Sequence, residues 1–130
     1  MSLNYVMIGS NDVAKGRAFY DAVLPLFGGK CIAEYMPNAV CYALRGGGRA
    51  WLALPYDKGT AAPGNGNMVG FECASRAEVD AAHEMALASG GTNEGDPGER
   101  PLYGPGFYGG YVRDYDGNKM SFVYLGDMDL

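Results

Sequence analysis

The feature that most limits what this chain can fold into is a plan written twice. In the first half "LNYVMIGS" alternates as a strand does, and Asn11 or Asp12 stands where a helix N-cap belongs. Val13, Tyr20, Val23, Leu24 and Phe27 then recur at helical spacing until Gly28 and Gly29 end the pattern. In the second half "NMVGFECA" is again strand-like, Ser75 and Glu78 frame a capping box, and Val79, Ala82, Ala86 and Leu87 form an apolar stripe that stops at Gly90 and Gly91. The separation from Tyr5 to Gly28 differs by a single residue from that between Met68 and Gly90, and Val6 and Ile8 match Val69 and Phe71 as helix-facing positions. An internal duplication accounts for this.

Strand patterns follow each helix. The first half has "KCIAEYM", "AVCYALR", a turn at Gly46 to Gly48 and "AWLALP". The second has less regular sequence, then "FYGGYVR" and "NKMSFVY" around an Asp116-Gly117 turn that predicts a β-hairpin. Each half therefore reads βαβββ, with "KGTAAPGNGN" as the linker. Neither half is large enough for a core of its own. The expectation is an α+β fold and one domain over residues 1–130, built of module 1–56 and module 66–130. The other glycine runs lack the Lys-Ser/Thr and helix that a phosphate loop requires, so they read as turns.

Charge and hydropathy exclude several classes of partner. A formal net charge of -5 with scattered Lys and Arg argues against nucleic acid. No apolar run approaches the roughly 18 residues a membrane span needs, and "MSLNYVMIGS" lacks the pattern of a signal peptide, so a cytoplasmic protein with no membrane partner is expected. Cys31, Cys41 and Cys73 are odd in number, far apart and set in strand patterns. They predict buried thiols, not disulfides or a metal knuckle. His83 lies one turn from Val79 and one from Leu87, which predicts a half-buried helical histidine.

Two stretches carry a family resemblance: "IGSNDVAKGRAFYDAVLPLFGG" and, more specifically, "PGERPLYGPGFYGGYVRDYDGN". They resemble the vicinal oxygen chelate superfamily, which contains glyoxalase I, extradiol dioxygenases and the fosfomycin- and bleomycin-resistance proteins, and in particular its glyoxalase-like branch. The resemblance implies paired βαβββ modules forming a cupped mixed sheet with helices on its convex side. In metal-dependent members, four strands each give one His or Glu ligand at the cup centre. Those positions fall here on Tyr5, Ala53, Met68 and Ser121. Two apolar side chains, a phenol and a hydroxyl cannot hold a hard or borderline divalent cation, so neither metal nor other cofactor is expected.

Residues sharing the parity of those positions line the cup: Leu3, Tyr5, Met7, Trp51, Ala53, Met68, Gly70, Glu72, Lys119, Ser121 and Val123. This largely apolar, aromatic face suits a planar or hydrophobic small molecule, with Tyr5, Glu72 and Ser121 as orienting polar groups. The same side chains could instead simply fill the interior. Glu72 is expected to pair with Arg113 or Lys119, or to meet a ligand cation. Arg100 and Tyr103 fall where the glyoxalase-like branch lines the cup entrance, and loop anchoring is the competing role. The substrate-binding candidates are thus Tyr5, Met7, Trp51, Met68, Glu72, Arg100, Tyr103 and Ser121. The leading expectation is a glyoxalase or bleomycin-resistance-like protein that binds a partly apolar or aromatic small molecule without the usual metal, as a homodimer because its sheet edges would otherwise be exposed. A lactoylglutathione lyase-like isomerase and a structural or regulatory dimer with a closed cup are the alternatives, and whether the chain catalyses anything stays open.

Overall fold

Period-2 alternation decides which side of every strand meets the helices. In the structure, a computed structural model describing residues 2–129, the first half consists of β1 (Tyr5–Gly9), α1 (Val13–Val23), a 3-10 turn (Leu24–Phe27), β2 (Lys30–Tyr35), β3 (Ala39–Ala43) and β4 (Arg49–Ala53). The second consists of β5 (Val69–Glu72), α2 (Arg76–Ala88), β6 (Thr92–Glu99), a 3-10 turn (Pro101–Tyr103), β7 (Tyr108–Arg113) and β8 (Lys119–Tyr124). Each half forms a four-stranded mixed sheet of the same topology, β1-β4-β3-β2 and β5-β8-β7-β6. β1 runs parallel to β4 and β5 parallel to β8, while the other neighbours are antiparallel. The α+β class and the paired modules expected from the sequence are present.

Local signals explain where the helices begin and stop. Asp12 caps α1, its Oδ1 accepting from Lys15 N at 3.0 Å. Asn11 instead holds the linker against β1, its side chain donating to Ala61 O at 2.9 Å and accepting from Ala61 N at 2.7 Å. Ser75 Oγ caps α2 through Glu78 N at 3.1 Å, and Glu78 reaches back to Ala74 N at 2.8 Å. Both helical segments end on a glycine of positive φ, Gly28 at 90° and Gly90 at 94°, a conformation a side chain would strain.

The helix-facing side chains of both sheets meet in one core. Ile8, Val40, Tyr42 and Leu52 pack from the first sheet, and Phe71, Val112, Met120 and Phe122 from the second. Phe27 joins the halves, its ring centroid 5.7 Å from both Phe71 and Phe122. On α2 the buried stripe is Val79, Ala82, His83 and Ala86. Leu87, expected in that stripe, is 38% exposed, and His83 is more buried than expected at 4% exposed. Its Nε2 sits 3.0 Å from Asn93 Oδ1, a partner supplied where β6 shifts register between Asn93 and Gly95, so the imidazole is buried without losing its hydrogen bond. Cys41 and Cys73 are buried as expected, and burial pushes the Cys73 thiol up to about 12. Cys31 is not: it is exposed on the outer strand β2, beside Arg17, with no strand beyond it to cover the thiol. No helix among the described residues is long and apolar enough to cross a membrane.

A second joint between the halves is polar. The β7–β8 turn folds over Asp114, whose Oδ1 accepts from the backbone N–H groups of Asp116 at 3.0 Å and Asn118 at 2.8 Å. Its Oδ2 accepts from Tyr20 OH at 2.5 Å and Asn118 Nδ2 at 3.0 Å, and that amide also donates to Gly9 O at 2.8 Å. One carboxylate thus ties the second module's turn to the α1 helix and β1 strand of the first. Burial pushes the Asp114 carboxyl above its ordinary range, against the pull of Tyr20 and Asn118. A native carboxyl that keeps its proton to higher pH stabilises the fold below the unfolded group's range, and that contribution is lost as pH rises through the raised native value. Urea unfolding at about pH 4 and about pH 7 is therefore expected to show wild type losing stability relative to Asp114→Asn as pH rises. A slope of the opposite sign would mean that the hydrogen-bond donors outweigh burial.

Candidate functional site

Because Val6, Ile8, Leu52, Phe71, Met120 and Phe122 are turned toward the helices, their strand neighbours form the opposite, concave face. Pairing registers fix who stands beside whom on it. Met7 is opposite Trp51, Gly70 opposite Ser121 and Glu72 opposite Val123. The parity read from the sequence holds. Extending it through the outer strands adds Tyr35, which stacks on Trp51 with centroids 6.0 Å apart at 22°, and Tyr111, which pairs with Ser121. Neither was singled out from the sequence, although Tyr111 has the parity to do so. β2 shifts register between Cys31 and Ala33, so counting alone could not place Tyr35.

The first module supplies an aromatic wall. Tyr5 and Met7 are 54% and 58% exposed, Trp51 is half-buried against Tyr35, and Ala53 and Cys41 are buried beneath their larger neighbours. The second module supplies Met68, exposed just before β5, and Ser121, which is buried. Tyr5, Val6, Val69 and Gly70 line one groove of about 160 Å³ at the β1–β5 junction. Met7, Met68 and Lys119 line another of about 180 Å³ with Pro63, Gly64 and Asn67 of the linker. A wider hollow of about 510 Å³ opens beyond it between linker residues 63–67, Met68, Arg113 and Lys119.

The polar members are arranged differently from expectation. Glu72 forms no ion pair or side-chain hydrogen bond among the described residues, so the predicted pairing with Arg113 or Lys119 is absent. Arg113 is held by Glu94 and by Gly117 O, and Lys119 lies with its ammonium 5.9 Å from the Tyr111 ring centroid. Glu72 needs no partner because it is exposed and water solvates it. Arg100 is anchored to its own loop, donating to Asp96 O at 2.6 Å and Glu99 O at 3.3 Å, yet its guanidinium lies over the Tyr111 ring at 5.4 Å. Tyr103 packs edge-on against Phe107 at 5.2 Å and stays exposed. The structure therefore gathers Tyr5, Met7, Trp51 and Met68 around the junction, with Ser121 one strand away on β8, and leaves Arg100 and Tyr103 on the β6–β7 wing. His83 lies on the other side of the sheet, in the core.

Charge is unevenly divided between the faces. Registers place Lys30, Arg49, Arg113 and Lys119 on the concave side, and Arg100 joins them over Tyr111. Only the carboxylates Glu72 and Glu94 accompany them among the strand residues of that face. On the helix side Glu34 pairs with Arg17, Glu78 with Arg45, and Glu99 and Asp127 with Arg76.

The positions equivalent to a metal's ligands, Tyr5, Ala53, Met68 and Ser121, lack imidazole, carboxylate and thiolate. No group of three or more His, Cys, Asp or Glu side chains converges elsewhere among the described residues. This donor set does not fit a divalent cation.

Paired βαβββ modules with helices on one side and an open concave face define a glyoxalase-type fold. The sequence signature described as Glyoxalase/Bleomycin resistance protein/Dioxygenase superfamily matches residues 2–122, and the chain belongs to that superfamily. It is similar to the crystal structure of a glyoxalase/bleomycin resistance protein from Albidiferax ferrireducens T118, with 32% identity over 95% of this chain and 98% of that one and a TM-score of 0.84. A glyoxalase-related enzyme from Fulvimarina pelagi has the same fold at 21% identity over 95% and 88% of the two chains, TM-score 0.75. So does a glyoxalase/bleomycin resistance protein/dioxygenase family enzyme from Burkholderia phytofirmans PsJN, at 21% identity over 96% and 99%, TM-score 0.72. No curated protein matches the chain.

Elemental analysis of protein purified without chelator is expected to find far less than one zinc, nickel, iron or manganese per chain. A stoichiometric metal would show that ligands other than these four positions hold it.

Proposed function

We propose that this chain binds a small, partly apolar or aromatic molecule on its concave face, without the divalent metal used by other members of its superfamily. One observation carries the reading: Tyr5 and Met68, at two of the positions where a metal centre would otherwise be built, stand exposed beside Met7, Trp51 and Tyr35 as one apolar and aromatic wall. Aromatic and thioether side chains in a concave surface favour flat or hydrophobic ligands through area burial and stacking. The exposure of Tyr5 and Met7 supports an open face over an interior packed shut. An isomerase of the lactoylglutathione type would need an electrophile beside its base to hold enediolate charge, and Glu72, the carboxylate that could act as base, is paired with no cation of this face.

The same exposure favours a homodimer. Leu3, Tyr5, Met7, Tyr35 and Met68 leave more apolar surface on one face than a solitary chain usually shows. A second copy laid over this face would cover its rim and deepen the open groove into a cup. Multi-angle light scattering across the micromolar range is expected to give twice the chain mass. A monomer mass throughout would remove this part of the proposal.

Ligand binding is expected to change the fluorescence of Trp51, the sole tryptophan, and to raise thermal stability by about 2.7 kcal/mol when free ligand is a hundredfold above its Kd. In a screen of aromatic metabolites, antibiotics and glutathione conjugates, Trp51→Ala should weaken any hit by about 1–3 kcal/mol, while His83→Ala should leave its affinity unchanged. A hit depending on His83 and indifferent to Trp51 would place the site on the helix side. A screen without any hit favours the packed, structural role.

A further inference from the structure

The concave face is cationic in a chain whose formal net charge is -5. Among its cations Lys119 stands apart. Arg113 is neutralised by Glu94, Arg100 spends its donors on backbone carbonyls, and Lys30 and Arg49, though unpaired, are exposed and solvated by water. Lys119 is half-buried and has neither carboxylate nor hydrogen-bond partner among the described residues, only the face of Tyr111 at 5.9 Å. Protein withdraws part of the water from its ammonium, and a ring at that distance supplies no hydrogen bond in exchange. It also stands at the end of a continuous apolar track. Lys119, Met68 and Met7 line one groove, Met7 is in register with Trp51, and Trp51 stacks on Tyr35. Beyond Lys119 the hollow is bounded by Asn65, Asn67 and the Glu94-paired Arg113, which supply polar surface.

We propose that the ligand of this face is an organic anion, a carboxylate or kindred group on an apolar body, with Lys119 taking the anion and Met68, Met7 and Trp51 the body. This assignment rests on the reading that the concave face is a binding site. The anion supplies the counter-charge that Lys119 lacks, while the opposing carboxylate on the same face, Glu72, lies two residues along β5 from Gly70 and leaves the groove at Met68 uncontested. Neutral aromatic molecules would gain the track alone. Bare inorganic anions would gain the ammonium alone.

The test is calorimetric titration of the full chain with three probes: 2-naphthoate, its neutral counterpart 2-naphthalenemethanol, and inorganic phosphate. Naphthoate should bind about tenfold or more tighter than the alcohol, the gain of a charge-assisted contact, and phosphate alone should bind far more weakly than naphthoate. Lys119→Met should bring naphthoate down to the affinity of the alcohol without changing the alcohol, and Lys119→Arg should retain the preference. Equal affinity of the two naphthyl probes for wild type overturns the anion assignment and leaves the binding face standing. A preference that survives in Lys119→Met overturns the role of Lys119. Phosphate as tight as naphthoate overturns the apolar body. Absence of binding by both naphthyl probes overturns this inference together with the reading it rests on. Thermal melting confirms that the variants are folded, and should Lys119→Met not fold, the wild-type contrast between the probes decides.

Discussion

Phe27 packed against Phe71 and Phe122 is the contact on which the remaining architecture depends. It comes from the turn that closes the first helix and lands on two strands of the second module, so the convex sides of both sheets share one core. With the helices gathered on that side, the other side has no element left to cover it. The openness of the concave face is thus a consequence of how the core is built. The polar joint at Asp114 acts in the same direction, since it fixes the end of β1 to the turn between β7 and β8.

Much of this was legible in the chain because the repeated pattern is physical. Strand parity separates core residues from exposed ones wherever a strand is regular, and β1, β4, β5 and β8 are regular, so Met7, Trp51, Glu72 and Ser121 fall on the face that counting assigns them. Counting fails where register shifts. The irregularity in β2 hid Tyr35, and those in β6 left the second module's outer strand looking like loop. They also gave His83 a polar neighbour that no periodicity could foretell.

Charge pairing was the least legible layer. Glu72 was expected to need a cation because its position was read as enclosed, but an exposed carboxylate has water for a partner. The cation expected beside it, Lys119, is half-buried and yet has no carboxylate partner among the described residues. Sequence spacing gives the face on which a charge lies; it does not give the depth, and depth decides whether a partner is required.

The duplication has one further consequence. Two identical modules assembling as separate chains would each have to present the same surface, so any site between them would be the same from either side. Joined in one polypeptide, with the linker pinned to the first module by Asn11 at Ala61, the halves are free to diverge, one carrying the stacked rings of Trp51 and Tyr35 and the other the half-buried ammonium of Lys119. The covalent link turns a symmetric scaffold into a surface with a head and a tail, and hence into one able to orient what lies on it.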